Sequence, residues 1–230
     1  MRIPKIIHQT WKTSELPTDL RLLSETWRAK HPNWSFKLWT DKMNEEFISK
    51  QFPDFLDQYR SYSNIQKVDA VRYLILFVYG GVFIDLDFEC YRNIEPILHD
   101  CECFFGQEPV QHALLHNKSQ IVSNAIMGCT SRNLFFKELY QGMNVKRPVY
   151  QDANTEVLES TGPFMLTKIY QKFKEKSKIM VFDSDFFFPL TKDELIILEK
   201  EPSNLLLNEK IKKAFALHYF FGTWWNPKST

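Results

Sequence analysis

The sequence has few of the residues and patterns that mark several common protein classes. Its four cysteines, Cys90, Cys101, Cys103 and Cys129, include no C-x-x-C pair, and Cys101 and Cys103 lie too close together for a zinc knuckle. We therefore expect four reduced thiols, as in a cytoplasmic protein, and neither a disulfide-stabilised scaffold nor a zinc-binding domain.

Long apolar runs and an excess of charge are also missing. No run of about 18 apolar residues occurs, and the first residues, MRIPKIIHQTW, contain no long apolar segment, so we expect neither a membrane-spanning helix nor a signal peptide. A net charge of +1 gives no support to a nucleic-acid or membrane partner, and we expect no nucleic-acid partner. We expect a cytoplasmic location. Peripheral contact with the inner face of a membrane stays open because of the lysines between Lys168 and Lys178, although a solvated helix face explains such a run more simply.

Apolar and aromatic side chains are plentiful, and their spacing predicts the fold. With 230 residues, 44% of them hydrophobic, the chain can bury the core of one domain over residues 1–230. The first 90 residues alternate strands and helices, which predicts an α/β fold with a mostly parallel sheet flanked by helices. The predicted strands are 3–9, 34–39 and 82–88, and the predicted helices are 20–30, 44–59 with a break at Pro53, and 64–79. In the second half, helices are expected over 133–141 and 165–174, and a strand over 179–182. The segment 215–221 should be a strand or extended, and the apolar segments 103–106 and 121–127 could be strands or a short helix.

The stretch GGVFIDLDFE, residues 80–89, carries two carboxylates one residue apart at the end of an apolar segment. On a continuous strand, Asp85 and Asp87 would share one face, and Leu86 would lie on the apolar face with its neighbours. Ligand crevices open at this end of parallel strands. Two carboxylates there repel each other and lose hydration unless a cation compensates, and carboxylates suit Mn²⁺ or Mg²⁺. A simpler alternative is a pair of hydrated acids at a strand end.

The predicted helix 64–79 leads directly into this stretch. Asp69 and Arg72 are three residues apart on it and therefore share a face. The arginine could neutralise an acid or bind a sugar hydroxyl. The alternative is an ordinary exposed pair on a helix surface.

Four stretches resemble glycosyltransferase family 32, the sugar transferases with a D-x-D motif, which include α-mannosyltransferases and bacterial capsular polysaccharide enzymes. They occur in order along the chain: IPKIIHQTWKT, KVDAVRYLILFVYGGVFIDLDF, STGPFMLT and HYFFGTWW. The resemblance implies a GT-A fold, in which a Rossmann-like sheet binds a nucleotide sugar through a divalent metal.

The resemblance also implies roles for particular residues. Asp87 and Asp85 would be the D-x-D, with Asp87 binding the metal directly. Asp69 and Arg72 would contact the donor sugar and complete the catalytic group. His218 would be a third metal ligand, although a packed core histidine is the simpler interpretation of that residue alone. The implied cofactor is Mn²⁺ or Mg²⁺.

Further residues would bind the substrate under the same resemblance. The end of the first strand would lie against the nucleotide base, where Trp11 offers a stacking face. Trp224 could donate its indole N–H to a phosphate. The whole implied substrate-binding set is His8, Gln9, Thr10, Trp11, Asp69, Arg72, Asn124, Gly162 and Trp224.

The implied activity is a metal-dependent, retaining transfer of a hexose from a nucleoside-diphosphate sugar to the hydroxyl of a carbohydrate or glycolipid acceptor. No nucleophile stands out, which fits a front-face route. A non-catalytic sugar-nucleotide-binding or effector module is the main alternative. A phosphatase with a D-x-D strand is disfavoured, because that class needs Thr or Val two residues after the second aspartate, where this chain has Glu89.

Overall fold

The computed structural model describes residues 2–145 and 148–222. The strands are β1 (Ile6–Trp11), β2 (Ser35–Thr40), β3 (Gly81–Ile84), β4 (Phe88–Cys90), β5 (Cys103–Gln107), β6 (Val122–Cys129), β7 (Met180–Phe182) and β8 (Ala216–His218). The helices are α1 (Thr18–Lys30), α2 (Asp41–Gln51), α3 (Leu56–Ser61), α4 (Asn64–Tyr79), α5 (Val110–Leu115), α6 (Leu134–Met143), α7 (Ala153–Ser160), α8 (Pro163–Lys172), α9 (Ser184–Phe187), α10 (Lys192–Lys200) and α11 (Leu205–Lys213). No helix in the described ranges is long and apolar enough to cross a bilayer.

Six strands form a central sheet in the order β2-β1-β3-β6-β5-β7. Three of its five pairings are parallel, β1 with β2, β1 with β3 and β5 with β7, whereas β6 runs antiparallel to both β3 and β5. The predicted α/β fold is confirmed, with one strand reversed. Because β6 is reversed, its first residues lie at the same sheet edge as the last residues of β3 and β5.

Each face of the sheet has its own apolar core. Alternate residues of the central strands point to opposite sides, as the pleat of a strand requires. Phe83 and Met127 pack with α4 and α6 on one face, while Val82 and Ile126 pack with Trp27 of α1 on the other. All four cysteines are free and buried, as the prediction of reduced thiols requires.

The predicted helix 64–79 has the same limits in the structure as α4. A capping box begins it, in which the backbone N–H of Ser63 donates to the side chain of Gln66 at 3.0 Å. Gly80 and Gly81 end it with φ values of +66° and +97°. A Cβ on Gly81 would lie 2.7 Å from the carbonyl oxygen of Ile6, so the direct turn from α4 into β3 requires glycine there.

The predicted strand over residues 82–88 is wrong at its second half. The strand β3 ends at Ile84, and although the Asp85 N–H still donates to the carbonyl of Ala125 at 2.9 Å, the chain then turns. It resumes as β4 in a separate two-stranded sheet with β8. The assignment of Asp85, Leu86 and Asp87 to alternating strand faces therefore does not hold. The pairing partner β8 is about 130 residues away, and no local pattern announces it.

His8 joins three elements of the fold. Its Nε2 donates to the carbonyl of Gly80 at 3.0 Å, and its Nδ1 accepts from the indole N–H of Trp39 at 3.1 Å. Burial lowers the pKa of His8 to about 4, and Lys37 adds to this effect, while the bond to Gly80 acts in the other direction. The ring is therefore neutral at neutral pH and serves as a donor and an acceptor at once.

The pH dependence of stability should reveal this neutral histidine. The pKa of His8 is about 4 in the folded chain and about 6.5, the ordinary value, in the unfolded chain, so between these values the unfolded chain binds a proton that the folded chain does not. The free energy of unfolding should therefore fall by about 3 kcal/mol more in the wild type than in His8→Gln as the pH drops from about 7 to about 4. Urea denaturation at a series of pH values measures this difference.

The control is His99→Gln, because the His99 side chain is 78% exposed. That variant should keep the pH dependence of the wild type. Parallel curves for the wild type and His8→Gln would contradict the buried, neutral state.

Candidate active site

Two aspartates and a histidine meet where β3 ends. Asp85, Asp87 and His218 offer ligand atoms that all lie within 4.8 Å of one another. The two-stranded sheet brings them together, because its register places His218 opposite Phe88, the residue after Asp87. The His218 ring stacks on the Phe88 ring at a centroid distance of 4.4 Å. The predicted trio of metal-ligand candidates is thus assembled in space.

Asp87 is held by contacts from the C-terminal part of the described chain. Its Oδ1 lies 3.0 Å from His218 Nε2, and its Oδ2 accepts from the backbone N–H of Phe221 at 3.0 Å. Burial acts to raise the pKa of Asp87, but His218 and these hydrogen bonds hold that pKa below its ordinary value. In His218, burial acts to lower the pKa, and the attraction of Asp87 raises it overall. The two groups therefore compensate each other's charge.

Asp85 has less compensation. Burial is the main reason that its pKa rises to about 6, Asp87 raises it further, and Arg72 acts in the opposite direction. The imidazole Nδ1 of His218 is also buried and has no hydrogen-bond partner among the described residues. A carboxylate short of positive charge, a second carboxylate and an imidazole form a donor set that suits Mn²⁺ or Mg²⁺. The residues present therefore fit a divalent cation.

Arg72 lies on α4 and connects this helix to the cluster of Asp85, Asp87 and His218. Its guanidinium lies 3.2 Å from Asp85 and 3.3 Å from Asp69, and it donates to the carbonyl of Asn124 at 2.9 Å. The side chains of Arg72 and Asp69 are only 4% and 6% exposed, so the interpretation as an exposed helix pair is wrong. Burial acts to lower the pKa of Arg72, but the two aspartates raise it overall, and the group stays charged.

Asp69 is fixed from several sides. Its Oδ1 accepts from the side-chain amide of Asn124 at 2.9 Å, and its Oδ2 accepts from the hydroxyl of Thr161 at 3.2 Å. The Tyr73 hydroxyl in turn donates to the carbonyl of Thr161 at 2.9 Å. Asn124 was expected at the site, whereas Thr161 and Tyr73 were not. Thr161 lies inside the quoted stretch STGPFMLT, which was the available signal.

Gly162 follows Thr161 and begins α8 as its N-cap. A Cβ at this position would lie 3.0 Å from both Leu158 Cα and the carbonyl oxygen of Val157. The backbone of α8 can therefore approach α7 closely only with glycine here. This close approach places Thr161 against Asp69.

The residues expected to contact a nucleotide base separate into two groups. Both nitrogens of His8 are bonded within the protein, and Gln9 is buried and accepts from the hydroxyl of Ser24 at 2.6 Å. Both side chains are buried, and His8 joins secondary-structure elements through both ring nitrogens. Gln9 is bonded through its oxygen, while its Nε2 has no hydrogen-bond partner among the described residues. Thr10 and Trp11 are half-buried at the end of β1, at the same edge as the end of β3. Trp224 lies outside the described residues.

Comparison with known proteins identifies the family. Residues 17–104 match the family model described as a glycosyltransferase sugar-binding region containing a DXD motif. The chain is 35% identical over 176 residues to mannosyl phosphorylinositol ceramide synthase CSH1 of Saccharomyces cerevisiae, covering 76% of this chain and 44% of that protein. It is 36% identical over 174 residues to inositol phosphoceramide mannosyltransferase 3 of Schizosaccharomyces pombe, covering 75% of this chain and 46% of that protein. The resemblance to glycosyltransferase family 32 is confirmed. The chain spans less than half the length of these two relatives.

A solved structure supports the fold that family 32 implies. PaToxG glycosyltransferase superposes with a TM-score of 0.52 over 74% of this chain and 70% of that chain, at 18% sequence identity. At this identity the likeness concerns the fold alone, and it confirms the GT-A type. The matched region, residues 17–104, contains the D-x-D and the Asp69–Arg72 pair, whereas Asn124, Thr161 and His218 of the same network lie outside it.

The buried Arg72 should matter far more for stability than a surface arginine. Arg72→Met removes the cation that the buried Asp69 and the partly buried Asp85 share, so the free energy of unfolding should fall by about 3–5 kcal/mol. The matched change is Arg60→Met, which removes a surface pair with Glu45 whose side chains are 55% and 49% exposed. That loss should be about 1 kcal/mol or less. Urea denaturation at neutral pH measures both, and equal small losses would contradict the role of Arg72.

Proposed function

We propose that this family 32 chain transfers a hexosyl group from a nucleoside-diphosphate sugar to the hydroxyl of a glycolipid or polysaccharide acceptor. The transferred sugar is mannose, and the reaction uses a divalent metal. The observation that carries the proposal is the cluster of Asp85, Asp87 and His218 beside the Asp69–Arg72 pair. The choice of mannose and of a glycolipid acceptor rests on the names of the two fungal relatives.

Asp85, Asp87 and His218 would hold the metal, either Mn²⁺ or Mg²⁺. When bound, the cation supplies positive charge that stabilises the diphosphate leaving group. The same charge compensates Asp85, whose pKa is raised mainly by burial.

The Asp69–Arg72 pair would orient the donor sugar. Each carboxylate oxygen can accept more than one hydrogen bond, so Asp69 can accept from a sugar hydroxyl while it keeps its bonds to Asn124 and Thr161. Because Arg72 holds the charges of Asp69 and Asp85 in place, the acceptor atoms have a fixed position before the sugar arrives. Fixed dipoles and charges of this kind are what lower the barrier in a polar reaction.

The proposed reaction retains the configuration at the anomeric carbon. The bond from the anomeric carbon to the phosphate oxygen breaks, a bond to the acceptor oxygen forms on the same face, and the acceptor proton passes to the departing phosphate. In this proposal Asp69 orients the sugar, and both its oxygens keep their bonds to Asn124 and Thr161.

Retention is tested by the anomeric configuration of the product. Proton NMR of the product from an α-linked donor should show an α linkage. A β-linked product would contradict a retaining reaction, and a covalent sugar adduct on an aspartate or glutamate, found by mass spectrometry, would contradict the front-face route.

Nucleotide binding should depend on metal and on Asp87. We would measure thermal unfolding with UDP, GDP, CDP and TDP, each with Mn²⁺ or with EDTA. One nucleotide should raise the Tm in the presence of Mn²⁺ and not in EDTA, because the metal is proposed to bind its diphosphate. At about one hundred times its Kd, a ligand stabilises the folded state by about 2.7 kcal/mol. The nucleotide that does so names the donor base.

The shift should disappear in Asp87→Asn and persist in Asp100→Asn, whose side chain is 95% exposed in the wild type. An equal shift in both variants would place the metal elsewhere. No shift with any nucleotide in folded protein would contradict the proposed function.

A further inference from the structure

The short helix α5 lies between the side of the candidate site that holds His218 and the side that holds Thr161. On one side, His112 packs against the Phe220 ring at 4.9 Å, and Phe220 packs against the ring of His218 at 4.3 Å. On the other side, Ala113 belongs to a small buried cluster with Leu158 and Phe164, at the junction of α7 and α8 that also holds Thr161. The helix α5 is therefore part of the rim of the site.

The outward side of α5 is apolar. Val110, Leu114 and Leu115 are 52%, 65% and 77% exposed. The fourth exposed residue of α5 is Gln111, so three of the four exposed residues are apolar. A surface helix usually exposes polar residues instead. We call these three residues the rim patch.

The rim patch is held in place by an ordered helix end. Asn117 has a φ of +52°, and the N–H of Lys118 donates to the carbonyl of Ala113 at 2.9 Å. A left-handed residue with a backbone bond of this type is a standard way to end a helix. The leucines are therefore exposed by a defined turn of the chain.

Cationic side chains lie next to the rim patch. Residues 117–120, which follow α5, line a cavity of about 300 Å³ together with Lys168 of α8. Lys118 also lines it, but its ammonium pairs with Glu159 at 3.6 Å, so the positive charge of this flank comes from α8. Lys168 and Lys172 are exposed one turn apart on α8, a helix without any acidic residue. An apolar tip flanked by lysines is complementary to the surface of an anionic bilayer, where aliphatic side chains enter the interface and lysines meet the headgroups.

The size of the rim patch disfavours a stable protein partner. Three exposed aliphatic side chains offer on the order of a few hundred Å², whereas a stable protein interface buries about 800 Å² on each partner. Membrane binding needs no such area, because a few inserted side chains and a basic flank act together.

We propose that the rim patch, together with the lysines of α8, docks this protein onto an anionic lipid bilayer, with the mouth of the site at the membrane surface. The proposal rests on the proposed function only for the choice of a lipid-linked acceptor. Such an acceptor would present its hydroxyl at the height of the headgroups, next to the aspartates of the site.

Vesicle flotation tests the docking surface. The probes are vesicles of phosphatidylcholine alone and vesicles of phosphatidylcholine mixed with phosphatidylglycerol. The wild type should bind the mixed vesicles more tightly, and added salt should weaken that binding. Leu114→Glu with Leu115→Glu should weaken it by about tenfold or more. Lys168→Glu with Lys172→Glu should remove the preference for the anionic vesicles.

The matched control is Ile196→Glu with Ile197→Glu, because these residues are 43% and 45% exposed and lie on α10, which carries the acidic residues Asp193, Glu194 and Glu199. That variant should bind vesicles as the wild type does. Failure of the wild type to bind either vesicle, or equal losses in the rim-patch and control variants, would overturn the proposal. So would a change of oligomeric state in the Leu114→Glu, Leu115→Glu variant, which would assign the rim patch to a second copy of the chain.

Thermal unfolding and nucleotide binding of each variant keep the two proposals separate. The replaced leucines contact solvent, so both properties should match the wild type. If vesicle binding fails while metal-dependent nucleotide binding persists, the docking surface is wrong and the proposed function stands. If nucleotide binding fails while vesicle binding persists, the proposed function is wrong and the docking surface stands.

Discussion

A buried guanidinium shared by two aspartates is the interaction on which the rest of this site depends. Arg72 contacts Asp69 on its own helix and Asp85 at the end of β3, and it also fixes the backbone of β6 through Asn124. The helix α4, the end of β3 and the strand β6 thus all contact the Arg72 side chain. A buried charge is tolerated only where partners compensate it. The positions of α4, β3 and β6 are therefore coupled, and the two glycines between α4 and β3 make the short connection that this coupling needs.

The parts of the fold that local chemistry determines could be predicted from the sequence. The helix α4 was predicted with its observed limits, because the capping residues at one end and the glycines at the other are short-range signals. The end of β3 could not be predicted, because it depends on β8 pairing with β4 from far along the chain. The helices α5, α7, α9, α10 and α11 were missed, although Thr191 and Glu194 form a capping box at the start of α10.

The site could be predicted in composition but not in environment. The motif pointed to Asp85, Asp87, Asp69 and Arg72, yet the sequence left open whether the helix pair was exposed. That question depends on what covers α4, which is buried on most of its circumference from Asp69 to Leu76, so its amphipathic pattern is weak. His8 shows the converse case. Its position at the end of a strand suggested a ligand contact, but Trp39 and Gly80 use both of its nitrogens.

The spacing of the D-x-D explains why the chain places two carboxylates where the apolar strand ends. Because the chain turns between them, Asp85 faces Arg72 in the interior, while Asp87 faces His218 in the second sheet. His218 offsets the effect of burial on Asp87, whereas Asp69 takes part of the charge of Arg72, so Asp85 remains less compensated. Among the described residues, three carboxylates thus share one permanent cation and one imidazole. An additional positive charge would restore the balance, and it would do so next to Asp69 and Arg72, the residues that we propose hold the sugar.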